Sequence, residues 1–557
     1  MSVRLNSIWL LIACLWVSQS LASGLKVAIA SAHPLATEAG FEIIRKGGNV
    51  FDAAVAVSAT LAVVEPAGSG LGGGGYWLLH RAKDRLEIMI DGREKAPLSA
   101  HKAMFLDKYG NVVPKLSLDG GLAAAIPGLP AGLVRLSEKY GRLSLSDCLK
   151  PAIRHAQHGF AVLERHRKML AFRTDAMKKD RYTAEIFLSK GSVPSPFSIL
   201  KQPDLAVTLQ QLADFGRSGF YGGEVAEKLL KGVRKKGGFW EQHDLDAYQV
   251  IERLPVKGSY QGITITSAPP SSSGGIVLIE SLNILSGFDL RRTDAATRKH
   301  LIAEAMRRAY HDRALYLGDP DFIDIPVNRL LSADYAAGLR SSIRPDRALP
   351  SEYLSGDLFD RAQGPQTTHF SIIDEEGNRV AATLSINMPF GSGFAAEGTG
   401  VLLNDEMDDF VSQPGSMNGY GLVGGAANAI APGKRMLSSM TPTFVETPDR
   451  IGVLGTPGGS RIISMVLLGV LDFADGNNPT AWVKVPRFHH QFIPDVLEYE
   501  KGAFTEIELA KFAARGHRLK EASRLYGDMQ AVQLNKSTRT LTAASDPRGE
   551  GRAWVGP

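Results

Sequence analysis

The sequence contains one junction at which a threonine separates a polar segment from an apolar strand. This junction is Gln366-Thr367-Thr368-His369. Cleavage of the peptide bond before Thr367 would place a hydroxyl nucleophile and a free α-amine on one residue. An α-amine has a pKa of about 7.7 to 8, so it can act as a general base at neutral pH without a histidine. The local pattern does not establish this chemistry by itself, because threonine pairs at the start of a strand commonly serve β geometry.

Other motifs for nucleophiles, phosphates and metals are absent from the sequence. It has no G-x-x-x-x-G-K-[ST], no H-E-x-x-H and no G-x-S-x-G. A glycine run at 68–75 contains G-x-G-x-x-G, but it follows a predicted helix and precedes a predicted strand, the reverse of a dinucleotide site. The clustered histidines lack metal-site spacing, and adjacent histidines on a strand point to opposite faces. They are His155, His158, His166, His489 and His490. We therefore expect no metal and no cofactor.

The segments around the junction are predicted to be a long loop and a hairpin. Residues 337–366 are polar, are interrupted by proline and glycine, and should form an exposed loop that is easily cut. Strands are predicted at 368–374 and 379–387, with few polar interruptions, as expected when both faces of a sheet are covered. A further strand at 451–454 leads through a glycine-rich turn into an apolar helix at 462–473.

The first third of the sequence predicts two helices followed by two strands. The helices cover 35–46, ended by Gly47-Gly48, and 53–64, ended before Pro66. The strands cover 76–80 and 86–91, and residues 125–250 alternate amphipathic helices with polar turns.

The composition is that of a globular protein. With 44% hydrophobic residues, 58 glycines and 2 cysteines in 557 residues, the chain is not disordered, collagen-like or a disulfide scaffold. A net charge of +5 without long basic blocks gives no indication of a nucleic-acid partner.

The amino terminus resembles a secretory leader. One basic residue, a short apolar run at 8–17 and small residues before position 23 predict a signal peptide at 1–22. Cys14 would also suit a lipoprotein signal, although the apolar residues after it argue against one. We expect an exported protein, periplasmic or secreted, with no stable membrane span and no internal disulfide, because only Cys148 remains.

Many stretches, spread in order along the chain, closely resemble the γ-glutamyltranspeptidases of the N-terminal-nucleophile hydrolase superfamily. In the first 320 residues they are Gly47-Gly-Asn-Val-Phe-Asp-Ala-Ala, Gly70-Leu-Gly-Gly-Gly-Gly-Tyr, Asp91-Gly-Arg-Glu-Lys-Ala-Pro, Ala268-Pro-Pro-Ser-Ser-Ser-Gly-Gly and Glu304-Ala-Met-Arg-Arg-Ala-Tyr-His-Asp-Arg. Later ones are Gln366-Thr-Thr-His, Leu403-Asn-Asp-Glu-Met-Asp-Asp-Phe, Gly421-Leu-Val-Gly-Gly, Ser438-Ser-Met-Thr-Pro-Thr, Gly455-Thr-Pro-Gly-Gly-Ser-Arg and Pro486-Arg-Phe-His-His-Gln.

The resemblance implies a proenzyme that cleaves itself before Thr367. The products would be a large subunit, 23–366, and a small subunit, 367–557, paired as a heterodimer. The implied fold is α+β, a four-layer αββα sandwich. Thr367 would attack a γ-glutamyl amide such as that of glutathione, and the acyl group would pass to water, an amino acid or a dipeptide.

The resemblance also assigns the substrate-binding roles, which suit a γ-glutamyl group with one α-carboxylate and one α-ammonium. Cationic and hydroxyl groups would bind the carboxylate, and an amide and two carboxylates would face the ammonium. The carboxylate side consists of Arg93, Ser438 and Ser439; the ammonium side consists of Asn387, Glu406 and Asp409. The amides of Gly458 and Gly459 would stabilise an oxyanion, and Ser385 stands where the family usually has a second threonine that bonds the nucleophile.

A glycine-rich segment at 412–428 is expected to form a flexible lid, with Tyr420 shielding the site. Two alternatives remain. One is an amidase of the same fold acting on another acyl group, such as a β-lactam side chain or a poly-γ-glutamate capsule. The other is a catalytically silent binding protein. Taken singly, each assigned residue also suits a structural role at a surface or a turn.

Overall fold

Two antiparallel sheets face each other. A computed structural model describes residues 25–354, 367–413 and 415–557, so the predicted leader and Gln366 lie outside the described residues. The first sheet has the strand order Arg552–Gly556, Val27–Ser31, Thr368–Asp374, Arg379–Ser385, Gly74–Arg81, Leu86–Gly92 and Ile251–Arg253. The second has the order Thr540–Ser545, Gln530–Asn535, Arg450–Gly455, Thr443–Glu446, Ile263–Ser267 and Val256–Tyr260. Both sheets combine strands from before and after position 367.

Helices cover the outer face of each sheet. Those packed on the first sheet include Pro34–Arg45, Val50–Val64, Leu129–Tyr140, Leu145–His158 and Pro203–Phe215. Those packed on the second include Gly274–Leu285, Ala295–Tyr316 and Ile462–Ala474. The arrangement confirms the predicted α+β fold with four layers. In the described part of the chain, no helix combines the length and apolar character needed to cross a bilayer.

Shorter elements surround the sandwich. The remaining α-helices are Glu164–Met177, Arg181–Phe187, Ser218–Tyr221, Gly223–Lys235, Gln242–Ala247, Val327–Leu330, Ala333–Ser341, Pro479–Trp482 and Glu506–Ala514. The remaining strands are Phe160–Ala161 with Ile199–Leu200, Ala395–Ala396 with Val401–Leu402, and Phe488–His489 with Leu497–Tyr499 and Leu519–Glu521.

Two hydrophobic cores share the first sheet because side chains alternate along its strands. Val27 and Ile29 face the outer helices, whereas Ala28 and Ala30 face the second sheet. Every residue of the Thr368–Asp374 strand is buried. The strand is therefore covered on both faces, as the sequence predicted, although it contains the polar residues Thr368, His369 and Ser371.

The two sheets are in close contact near the predicted nucleophile. A Cβ atom on Gly455 of the second sheet would lie 2.2 Å from Cε1 of His369, so only glycine is accommodated there. Burial lowers the pKa of His369 to about 3, which keeps the imidazole neutral. Its ring nitrogens lie 2.8 Å from the Thr383 hydroxyl and 3.1 Å from the Ser371 hydroxyl. Although it is two residues from Thr367, His369 is therefore part of the core packing.

The Val50–Val64 helix precedes the glycine-rich run, which leads into the first sheet. Asn49 and Asp52 form a capping box at its start, with the Asp52 carboxylate accepting from the Asn49 amide at 2.8 Å. The helix is buried throughout, and the Gly74–Arg81 strand follows the glycine run. The predicted order of helix, glycine run and strand is confirmed, and it is the reverse of the order at a dinucleotide site.

Two predicted boundaries were wrong. Residues 337–341 belong to the Ala333–Ser341 helix, whereas we predicted a loop from 337; Ser332 caps this helix by accepting from the Tyr335 amide. The strand predicted at 379–387 ends at Ser385, because Asn387 adopts a left-handed conformation with φ of 70°. This turn carries Asn387 away from the sheet.

Buried Asn404 ties together three segments that surround the end of the first sheet. Its side-chain amide donates to the carbonyl oxygens of Gly72 and Ala125, each at 2.7 Å. Its side-chain oxygen accepts from the backbone amides of Ala125 at 3.0 Å and Glu406 at 2.9 Å. One side chain therefore fixes Glu406 relative to the glycine-rich run.

We expect Asn404→Ala to lower the free energy of unfolding by about 3 kcal/mol or more, because several buried backbone groups lose their partners. Urea unfolding measures this change. The exposed Asn111→Ala is the control and should cost less than about 0.5 kcal/mol. Equal effects of the two substitutions would contradict the bridging role.

Candidate active site

Thr367 lies at the start of a central strand of the first sheet. The Thr368–Asp374 strand pairs with Val27–Ser31 on one side and Arg379–Ser385 on the other. The Thr367 side chain is only 2% exposed. The residue is therefore held by the surrounding sheet, as a reacting group requires.

Thr367 borders a small space, which we call the inner cavity. Its volume is about 20 Å³. Nine predicted site residues line it, namely Thr367, Arg93, Ser385, Asn387, Asp409, Tyr420, Ser438, Ser439 and Gly459; Met440 and Ile462 complete the lining. The structure thus brings together residues that are distant in sequence, as the predicted site requires.

Two predicted residues lie beside the inner cavity, and a third is outside the described residues. Glu406 is a direct partner of Arg93 and does not line the cavity. Gly458 lines a larger neighbouring cavity. Gln366, on the other side of the predicted cleavage point, falls among the residues that are not described.

Arg93 is the centre of a buried ionic cluster. Its Nη1 donates to Glu406 Oε2 at 2.6 Å, and its Nη2 donates to Asp409 Oδ2 at 2.5 Å. Its Nε donates to the Met436 carbonyl at 3.2 Å, and Glu94 lies 3.4 Å from Nη1. Three carboxylates thus surround one guanidinium, so the cluster carries an excess of acidic groups.

Two carboxyl groups of this cluster, those of Glu406 and Glu94, have a raised pKa. Burial raises the pKa of Glu406 to about 7, although Arg93 opposes this shift. Burial and the adjacent Glu406 raise the pKa of Glu94 well above its ordinary value. Burial alone would lower the pKa of Arg93, but the carboxylates raise it, so the guanidinium stays charged. A cation entering the inner cavity would favour the ionised form of Glu406.

Ser438 and Ser439 are among the residues that line the inner cavity. The Ser438 Oγ accepts from the Met440 amide at 3.1 Å. The Ser439 Oγ accepts from Arg313 Nη2 at 3.1 Å, and Arg313 Nε donates to the Ser273 hydroxyl at 3.0 Å. Arg313 is therefore a second buried guanidinium beside the cavity, and among the described residues no carboxylate forms an ion pair with it.

Ser385 and Asn387 are linked by the turn that follows their strand. The Asn387 amide donates to the Ser385 Oγ at 2.8 Å, and the Asn387 side chain donates to the Asp405 carbonyl at 2.9 Å. The side-chain oxygen of Asn387 is buried and has no hydrogen-bond partner among the described residues. This oxygen is suited to accept from an ammonium group in the cavity.

The glycine pair at 458–459 forms the turn between the Arg450–Gly455 strand and the Ile462–Ala474 helix. Gly458 has φ of 147° and Gly459 has φ of 57°, conformations that other residues rarely adopt. A Cβ atom on Gly459 would lie 2.4 Å from Cδ1 of Tyr420. In the described residues, neither glycine amide donates a hydrogen bond. These amides are thus available to an oxyanion.

Tyr420 belongs to a loop that is bonded to the acidic residues beneath it. Asn418 donates to Asp409 Oδ1 at 2.9 Å, and the Gly419 amide donates to Asp408 Oδ2 at 2.6 Å. Tyr420 itself is 9% exposed. It lines the inner cavity, while its role as a lid and the flexibility of the loop stay predictions.

Sequence reasoning assigned no role to three residues of this site. These are Glu94, Arg313 and Asn404. Each lies within a stretch that carries the family resemblance, which was the available signal. Their roles depend on contacts across the fold that the sequence does not show.

One histidine-containing cluster elsewhere has metal-ligand chemistry. Ligand atoms of His300, Glu304 and His517 lie within 4.8 Å of one another. However, Nδ1 of His300 is 2.7 Å from Nε2 of His517, and Glu304 bonds Arg307 at 3.1 Å and Arg308 at 2.8 Å. Two arginines on the only carboxylate oppose a further positive charge, so we interpret this cluster as structural.

The four layers, with a threonine at the head of a central strand, define the architecture of the N-terminal-nucleophile hydrolases. A cephalosporin acylase from Bacillus halodurans of known crystal structure superposes with a TM-score of 0.85 and 27% identity, covering 95% of this chain and 96% of that one.

The sequence matches the Gamma-glutamyltranspeptidase family over residues 36–556. It is 44% identical over 482 residues to a glutathione hydrolase proenzyme of Pseudomonas sp. (strain A14), covering 86% of this chain and 84% of the relative. It is 41% identical over 527 residues to that of Escherichia coli (strain K12), covering 93% and 90%. The chain belongs to the γ-glutamyltranspeptidase family.

We expect Arg93→Ala to lower the free energy of unfolding by about 3–5 kcal/mol, because it leaves buried carboxylates without their cation. Arg93→Lys, which keeps a charge, should lose less. Urea unfolding measures both changes. The control is Arg135→Ala, since Arg135 is 45% exposed and lies 3.6 Å from its partner Glu252; an Arg93→Ala effect no larger than the control would contradict the cluster's importance.

Proposed function

We propose that this chain is a proenzyme that cleaves itself before Thr367 and then acts as a γ-glutamyltranspeptidase and glutathione hydrolase. The observation that carries the proposal is the position of Thr367 on an inner cavity whose other walls bear Arg93, Asp409 and paired serine hydroxyls. The mature protein would consist of residues 23–366 and 367–557, after removal of a leader at 1–22.

The charges of the site support a γ-glutamyl substrate. Its α-carboxylate would be bound by Arg93 and by the hydroxyls of Ser438 and Ser439. Arg313, which donates to the Ser439 hydroxyl, would add positive charge beside this carboxylate. Its α-ammonium would be bound by Glu406, Asp409 and the unpartnered oxygen of Asn387. The ammonium would also compensate the excess of carboxylates around Arg93.

The reaction uses both functional groups of Thr367. The α-amine takes the proton from the Thr367 hydroxyl while the hydroxyl oxygen forms a bond to the γ-carbonyl carbon of the substrate. The Gly458 and Gly459 amides stabilise the oxyanion. The C–N bond then breaks, and the departing amine receives the proton. Water or another amine reverses these steps and releases the acyl group.

The partners follow from this chemistry. Donors would be γ-glutamyl compounds such as glutathione, and acceptors would be amino acids or dipeptides. The glutathione hydrolase names of the relatives support this assignment. The leader predicted at 1–22 supports export to the periplasm or the medium. The proposal requires no cofactor, because Thr367 supplies both nucleophile and base.

One alternative has a specific observation in its favour. The cephalosporin acylase from Bacillus halodurans shares the fold across nearly its whole length. However, the cluster around Arg93 suits a free amino acid group on the acyl chain, which favours γ-glutamyl donors over other amides. A catalytically silent binding protein would need no nucleophile in the inner cavity.

Thr367→Ala should abolish processing, because it removes the hydroxyl that attacks the preceding carbonyl. Gel electrophoresis should show two fragments for the wild type and one chain for the variant, close to the 60.0 kDa of the full sequence less any leader. The exposed Thr538→Ala should be processed normally. An unbroken wild-type chain with full activity would refute the proposed mechanism, and the small fragment should begin Thr-Thr-His.

Glu406→Gln should make the acid side of the pH profile less steep. Both Glu406, with its pKa of about 7, and the Thr367 amine must lose a proton as the pH rises. The logarithm of kcat/KM for a γ-glutamyl anilide should therefore fall below pH 7 with a limiting slope of about 2, reduced to about 1 in the variant. Arg93, Asp409 and Ser385 face Glu406 and are unchanged by this substitution.

The exposed Glu38→Gln is the control for this pH profile and should keep the steeper limb. An unaltered slope in Glu406→Gln would show that Glu406 is not titrating during turnover. The slopes of the two pH profiles are compared rather than the rates, because Glu406→Gln should also weaken substrate binding.

A further inference from the structure

Three buried side chains connect the Tyr420 loop with the helix that follows the glycine turn. Gln491 Nε2 donates to the Gly421 carbonyl oxygen at 2.8 Å. Gln491 Oε1 lies 2.9 Å from Nε2 of His489, and Nδ1 of His489 lies 2.6 Å from Oγ of Ser464. Ser464 belongs to the first turn of the helix. We call these three side chains, those of Ser464, His489 and Gln491, the buried tether.

The hydrogen bonds of the buried tether have a defined direction. A carbonyl oxygen can only accept, so the Gln491 side chain must turn its NH₂ group toward Gly421 and its oxygen toward His489. Burial lowers the pKa of His489 to about 3, so the ring is neutral and carries one N–H. That N–H must be on Nε2, which donates to Gln491, and Nδ1 then accepts from the Ser464 hydroxyl. A single arrangement of hydrogen atoms therefore satisfies the whole tether.

The buried tether is shielded from water and lies against a second anchor of the glycine turn. Ser464, His489 and Gln491 are 1%, 3% and 9% exposed. The edge of the Tyr310 ring packs on His489 with the ring centroids 5.5 Å apart, and the Tyr310 hydroxyl donates to the Ser460 carbonyl oxygen. Removing one bond of such a buried chain leaves its partner unsatisfied, so the chain should act as a unit.

Tyr420 completes a closed circle of contacts. A Cβ atom on Gly459 would lie 2.4 Å from Cδ1 of Tyr420, so the tyrosine ring packs directly on the glycine turn. From that turn the helix leads to Ser464, and the buried tether leads back through Gln491 to the residue that follows Tyr420. Tyr420 and Gly459 line the inner cavity, whereas the three tether residues do not. The tether can therefore affect the inner cavity only through its neighbours.

We propose that Gln491 and His489 are positioning residues that hold Tyr420 against Gly459 and thereby keep the 458–459 amides directed at the reacting carbonyl. The inference rests on the proposed function. Oxyanion donors act only from a fixed distance to the developing charge, and small displacements are costly in rate. The glycines of the turn have no side chains with which to fix it, so the packed tyrosine ring supplies the restraint and the buried tether holds the ring.

The first test removes the bond to the Tyr420 loop. Gln491→Met keeps the length of the side chain, and kcat for a γ-glutamyl anilide should fall about tenfold while KM changes less than about twofold, because no substrate contact is lost. Gln491→Glu still accepts from His489 but places a carboxylate against the Gly421 carbonyl, so it should lose at least as much. Gln210→Met and Gln210→Glu, on an exposed glutamine that donates to Asp214, are the matched controls and should keep the wild-type values.

The second test uses the other end of the buried tether. Ser464→Ala removes one hydroxyl and should lower kcat about threefold. The double variant of Ser464→Ala with Gln491→Met should be no slower than Gln491→Met alone, because the hydroxyl acts through Gln491. Effects that multiply to about thirtyfold would indicate two independent structural losses and would overturn the inference.

Hydrogen exchange provides a readout that does not depend on turnover. In Gln491→Met the amides of residues 418–424 should exchange about tenfold faster than in the wild type, while the Thr368–Asp374 strand should keep its protection. Unchanged exchange at 418–424 overturns the inference. An equal increase in both segments also overturns it, since that result indicates general loosening of the fold.

The outcomes separate this inference from the proposed function. An active wild type whose kcat is unaffected by Gln491→Met and Gln491→Glu supports the proposed function and overturns the inference. A rise in KM without a fall in kcat also overturns it, because Gln491 would then determine substrate binding. Wild-type protein that turns over no γ-glutamyl compound refutes the proposed function and, with it, the positioning role.

Discussion

The structure depends on burying one guanidinium among several carboxylates. An unpaired charge in a protein interior costs several kcal/mol, so Arg93, Glu406 and Asp409 stabilise one another only if the backbone holds them in register. Arg93 follows a strand of the first sheet, whereas the two carboxylates come from a short 3₁₀ turn more than 300 residues later. The fold brings these two segments together, and their charges suit the proposed substrate group, which carries both signs.

The neighbouring elements explain how this register is kept. Asn404 fixes the acidic turn to the glycine-rich run. Asp409, which accepts from Asn418 of the Tyr420 loop, also accepts from Arg93. The same side chains therefore take part in the proposed substrate binding, in the contacts of the Tyr420 loop and in holding the acidic turn. A substitution in the cluster should disturb stability as well as turnover, which is why the conservative Arg93→Lys is informative beside Arg93→Ala.

The sequence predicted a large part of this structure for definite physical reasons. Long apolar segments, such as Val50–Val64 and Ile462–Ala474, were located within a few residues. The two-sided burial of Thr368–Asp374 was expected from the β-like pattern of the whole 368–387 hairpin, and it is confirmed. The short Ala333–Ser341 helix was partly missed, because its polar residues lack an apolar period. Arg313 was assigned no role, because its bonds to Ser273 and Ser439 join residues distant in sequence.

The strand order determines how the two fragments produced by cleavage before Thr367 would be held together. The Val27–Ser31 strand lies between two strands from the far side of that bond, and the second sheet is likewise shared. Two pieces made by such a cut would be interleaved rather than docked. Their association would not depend on encounter in solution, so dilution should not separate them. Mixing separately produced halves would instead require each sheet to be completed strand by strand.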